Sequence, residues 1–118
     1  MAAAAGPAFT LVAPWLGALG AFISGSNTSS NLLFGMLQRR TAEMLGLSVA
    51  WILAAQTTGG AIGSVVSPAK VVVGTASVGS GGTAPEEGEV LRRLLGPAAG
   101  LLALTMIFLL VLWASGTI

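Results

Sequence analysis

The stretch Leu16-Gly-Ala-Leu-Gly-Ala-Phe-Ile-Ser-Gly-Ser-Asn-Thr-Ser-Ser-Asn-Leu-Leu-Phe-Gly35 decides the fold. An apolar, glycine-spaced run enters it, the polar stretch Ser24 to Asn31 interrupts it, and an apolar run leaves it. A straight lipid-facing helix has no use for such a patch. Backbone that unwinds at membrane depth survives only where protein or a water-filled cavity satisfies its N–H and C=O groups. The expected element is a broken or re-entrant helical segment over about 8–38, with Thr28, Ser29 or Ser30 capping a helix that restarts near Asn31. The run over about 44–74 repeats the plan. It is apolar from Met44 to Ala55, broken at Gln56-Thr-Thr-Gly-Gly60, then apolar from Ala61 to Gly74 with Ser67-Pro68 and Lys70 inside. Each run exceeds the roughly 20 residues that one straight crossing needs. Two apolar segments interrupted in matching places point to a transporter binding site. The competing picture is a set of short hairpins with turns in water, for which the arms Asn31 to Gln38 and Ala61 to Gly74 are too short or too interrupted.

The composition agrees. The chain has 118 residues, of which 54% are hydrophobic and 8% charged, and its mean hydropathy is +0.90. A soluble domain carries roughly 25% charged residues. Arg39, Arg40 and Glu43 form one cluster, Glu86, Glu87, Glu89, Arg92 and Arg93 a second, and Lys70 stands alone. The expected fold is an all-α integral membrane protein. Its two broken segments are followed by a polar connector over 75–95 and a C-terminal transmembrane helix over about 96–115, opened by Gly96-Pro97. The arginine pairs leave the topology open. If both face the cytoplasm, the run between them is a re-entrant hairpin; if that run crosses, one pair lies outside.

Several function classes fall away. There is no Cys, His or Tyr, which removes thiolate sites, the commonest metal ligand and the commonest general base. A net charge of +1 offers no field for nucleic acid. No basic region precedes the first apolar stretch, so it does not read as a signal peptide. No carboxylate lies within an apolar run, so a proton relay of acidic side chains is not built from these residues alone. The expectation is a non-enzyme without metal, cofactor or nucleic-acid partner.

The candidate substrate-binding residues are the uncharged polar ones inside the runs. Ser26, Asn27, Thr28, Ser29 and Asn31 surround the N-terminus of a restarting helix, whose free N–H groups suit a carboxylate. Gln56 and Thr57 suit a substrate hydroxyl, or else tie helices together. Lys70 is the one charge inside an apolar run: it neutralises a bound carboxylate if buried, or snorkels to water if near the surface.

The Leu16 to Gly35 stretch resembles a signature of the L-lactate permease family. So does Ala54-Ala-Gln-Thr-Thr-Gly-Gly-Ala-Ile-Gly-Ser-Val-Val-Ser-Pro-Ala-Lys70 at its distance downstream, and a final span after an acidic-basic connector fits as well. The resemblance implies a bacterial inner-membrane, multi-pass carrier that takes up L-lactate, and also D-lactate and glycolate, by proton symport. It places the family's polar breaks on Gly25 to Asn31 and on Gln56 to Gly60, with Ser67-Pro68 following. Members of the family are several times longer, so the chain resembles their C-terminal part, the whole of 1–118 being one portion of a multi-span transporter domain. The remaining transporter segments or a partner subunit would complete it. The alternative is a small membrane protein that acts by helix packing, as an assembly partner or scaffold, through its Gly96/Gly100 face.

Overall fold

The computed structural model describes residues 2–79 and 85–118. Among the described residues five helices follow one another: α1 (Ala2–Ser24), α2 (Asn27–Leu45), α3 (Val49–Val65), α4 (Pro68–Gly79) and α5 (Glu87–Ala114). Ala5–Ser24 and α5 are each long and apolar enough to cross a membrane, and α3 with α4 makes a third span if the bent pair is counted as one. The chain is an all-α integral membrane protein.

The first interruption is a chain reversal. Gly25 takes a left-handed φ of 73°, which only glycine adopts without strain, and its N–H closes α1 on the Ala21 carbonyl at 2.8 Å. Ser26 is extended, and its Oγ accepts the Ser29 N–H at 3.2 Å. The helix therefore restarts at Asn27 under a Ser26 cap. This corrects the expected restart near Asn31 capped by Thr28, Ser29 or Ser30: a single extended residue after Gly25 is enough to reverse the chain, so no longer unwound stretch is needed. α2 then runs antiparallel to α1, Ser30 meeting Gly17 and Gln38 meeting Ala13. It passes the expected end at 38 and stops at Gly46 (φ 68°), where the Leu47 N–H reaches the Ala42 carbonyl at 2.9 Å.

The second interruption lies elsewhere than expected. Gln56 to Gly60 are helical, in the middle of α3. Their glycines serve close approach instead of unwinding. A Cβ on Gly59 would overlap the Pro14 carbonyl, one on Gly63 the backbone of Ala18, and one on Gly17 the Gln56 carbonyl. α1 and α3 thus run parallel with backbone against backbone. The break comes at Val66 and Ser67, where the axis bends by 41°. Pro68 explains it, because proline lacks an N–H and disfavours helical geometry in the residue before it.

α5 begins at Glu87, so Pro97 sits inside the helix and does not open it. Of the expected connector over 75–95, residues 75–79 belong to α4 and 87–95 to α5, while 80–84 lie outside the described residues. Glu89 and Arg93 pair at 2.6 Å on the exposed start of α5. Antiparallel to α1, α5 is held by Leu102 and Leu109, by the Trp15 Nε1–H donated to Met106 Sδ at 3.1 Å, and by an edge-on contact between Trp51 and Phe108. A Cβ on Gly96 or Gly100 would meet nothing within 4 Å. The core is small: Ala13, Ala42, Ile52, Ala55 and Leu109, with Phe9 and Leu47 against it.

Candidate functional site

The polar residues singled out from the sequence fall into three places. The first is the junction of the two interruptions. The Gly25 turn that precedes α2 lies against the turn that opens α4: a Cβ on Gly25 would stand 3.3 Å from both Ser67 Oγ and Ala69 Cβ. The two helix-opening serines differ. Ser26 spends its hydroxyl on the Ser29 N–H. Ser67 is fully buried, and its carbonyl takes the Lys70 and Val71 N–H groups at 3.0 and 3.1 Å, yet its hydroxyl has no partner among the described residues. Asn27 Oδ1 is likewise buried without a partner, resting on the bare backbone of Gly60. Lys70 is exposed and turns its ammonium back to Ser64 Oγ at 3.1 Å, beside the last turn of α3, whose carbonyl end attracts a cation.

The second place is a buried tie. Gln56 Oε1 accepts from Gln38 Nε2 at 2.7 Å, and Gln56 Nε2 donates to Ser30 Oγ at 3.1 Å. Gln38 Nε2 also donates to the Ala13 carbonyl at 3.0 Å, and Ser30 Oγ to the Gly17 carbonyl at 2.7 Å. All three side chains are buried. Of the two readings left open for Gln56, the geometry favours the tie: its amide joins α2 to α3, and through Ser30 and Gln38 to α1. From the sequence Ser30 is a candidate cap only, and Gln38 is not selected. Gln38 stands where an apolar run gives way to Arg39 and Arg40, and it read as a boundary.

The third place is the outer seam of α2 and α3. Thr57 Oγ1 donates to Asn31 Oδ1 at 3.4 Å, and both line a cleft of about 410 Å³ with Leu32, Gly35, Met36, Arg39 and Leu53. Thr28 is exposed and Ser29 half-buried on the first turn of α2, where its backbone N–H is taken by the cap. The structure thus sets Ser26 and Asn27 at the junction, ties Lys70 to Ser64 at the end of α3, sets Asn31 and Thr57 together in the seam, and gives Gln56 to the buried tie. Ser67, the residue the sequence choice omitted, lay in view beside Pro68. Among the described residues no group of His, Cys, Asp or Glu is arranged to hold a metal ion.

A model of the L-lactate permease family matches residues 1–114. The chain belongs to the L-lactate permease family. A Salmonella typhi L-lactate permease is 47% identical over 74 residues, 63% of this chain and 13% of that protein. The glycolate permease GlcA of Escherichia coli K12 is 43% identical over 90 residues, 76% of this chain and 16% of that protein. A Bacillus subtilis L-lactate permease is 41% identical over 102 residues, 86% of this chain and 18% of that protein. The chain therefore spans less than a fifth of the length of these relatives. No solved structure matches it. Relatives named as permeases make this a membrane protein of a transporter family.

Proposed function

We propose that this permease-family chain is the C-terminal portion of a multi-pass carrier in a bacterial inner membrane. The carrier moves L-lactate, D-lactate and glycolate together with protons, and the remaining transporter segments or a partner subunit complete it. The names of the relatives support L-lactate and glycolate, and the paucity of ionisable groups in the apolar runs supports a proton path completed by other segments. The substrate carboxylate is held near the junction, with Ser26 to Ser29 forming the start of α2 and Lys70 supplying positive charge from the far side.

The observation that carries this site is the pair of buried, spare polar atoms, Asn27 Oδ1 and Ser67 Oγ, on two helix-opening turns that lie together. A buried polar group without a partner costs about 1–3 kcal/mol, which a hydroxy acid bound there offsets. Uptake of labelled lactate by the complete carrier in membrane vesicles tests it. Asn27→Ala and Ser67→Ala are each expected to cut uptake by about tenfold, about 1.4 kcal/mol of lost binding, at unchanged membrane levels. Full uptake by both variants overturns this site. Lactate uptake without inward proton flow overturns the symport.

A further inference from the structure

We infer that Arg39 is a carboxylate-binding residue at the outer end of the α2–α3 seam, forming with Asn31 and Thr57 a first-contact subsite for a small 2-hydroxy acid. The inference rests on the transport reading above. Asn27, Asn31, Gly35 and Arg39 are spaced four apart, so they form one row on α2. Antiparallel to it on α3 stand Gly60 against Asn27, Thr57 against Asn31, and Leu53 in the same cleft as Gly35. The row is uncharged and polar at the junction end and cationic at the other. Between Asn31 and Arg39, about 12 Å apart at 1.5 Å per residue, Gly35 contributes no side chain. A Cβ there would meet nothing within 4 Å, and Gly35 is among the residues that line the cleft.

The chemistry of the lining fits a hydroxy acid. Arg39 Nε donates to Glu43 Oε1 at 3.0 Å in an exposed pair one helical turn apart, and its two terminal nitrogens are left to meet a carboxylate. Thr57 occupies Asn31 Oδ1, which leaves the Asn31 amide nitrogen as a donor into the cleft, while the Thr57 oxygen keeps its lone pairs for a substrate hydroxyl. Arg40, the adjacent cation, is exposed as Arg39 is, but does not line the cleft. It is therefore a charge-matched control.

The test is concentration-dependent uptake of labelled L-lactate by the complete carrier, with membrane levels followed in parallel. Arg39→Gln is expected to raise the half-saturating concentration by about tenfold or more, with Arg39→Lys recovering part of the loss. Arg40→Gln, outside the cleft, is expected to stay within about twofold. Gly35→Leu, which fills the cleft, is expected to abolish uptake at an unchanged membrane level. Half-saturation in Arg39→Gln equal to that in Arg40→Gln overturns the subsite. An active Gly35→Leu, or one that fails to reach the membrane, overturns the open cleft. Absence of lactate uptake by the unsubstituted carrier overturns the transport reading instead.

Discussion

At the scale of single residues, the glycines divide by what surrounds them. Gly17, Gly59 and Gly63 stand where a Cβ would run into the facing helix backbone, whereas Gly74 has nothing within 4 Å of that position. Backbone cannot yield as a flexible side chain can, so Gly59→Ala must push α1 and α3 apart. Thermal unfolding in detergent is expected to show a loss of about 1–3 kcal/mol for Gly59→Ala, the usual cost of overpacking. For Gly74→Ala it is expected to show a gain of up to about 1 kcal/mol from helix propensity. The two kinds look identical in the sequence, and this is why the Gln56 to Gly60 stretch read as a break. Glycine permits both unwinding and close approach, and only the neighbouring helix decides between them. Ser67 escaped selection for a related reason: what distinguishes it from Ser26 is a cap hydrogen bond that one makes and the other does not.

At the scale of elements, the breaks themselves were legible where the residue types force the backbone. Gly25-Ser26 supplies a left-handed residue followed by a capping hydroxyl, and Ser67-Pro68 supplies the missing donor of a bend. The length of α2 was not legible, because its polar second half from Gln38 to Glu43 is turned partly inward by the Gln56 tie, a contact between distant parts of the chain. Nor was the early start of α5, whose charged first turns are helical outside any apolar run. Gly25 couples the two turns. Replacing it with alanine costs about 1–2 kcal/mol for the left-handed backbone and brings a methyl to 3.3 Å from both Ser67 Oγ and Ala69 Cβ. Gly25→Ala is therefore expected to lower the unfolding temperature and to reduce lactate uptake beyond what its lower membrane level explains. Equal uptake per carrier would show that the two turns work independently.

At the scale of the whole molecule, the chain turns much apolar surface outward. Leu104, Ile107 and Val111 on α5 are 63%, 57% and 60% exposed, while Ala13 and Ile52 are fully buried. A photoactivatable apolar probe dissolved in the bilayer is expected to label those α5 positions in this chain and to spare Ala13 and Ile52. Labelling of the second pair would mean that α1, α2 and α3 do not pack as described. Within this outward-facing body the helices are held very unequally. The α1–α3 contact has no side chains cushioning its centre, so sliding one helix over the other drives carbonyl into Cα. α4, by contrast, is buried only along Val71 and Thr75 beyond its 41° bend. The closest packing is thus concentrated in one glycine-faced contact. Opening the α2–α3 seam would therefore have to break the Gln56 tie and turn α2 at the Gly25 and Gly46 bends that flank it, while α1 and α3 stay paired.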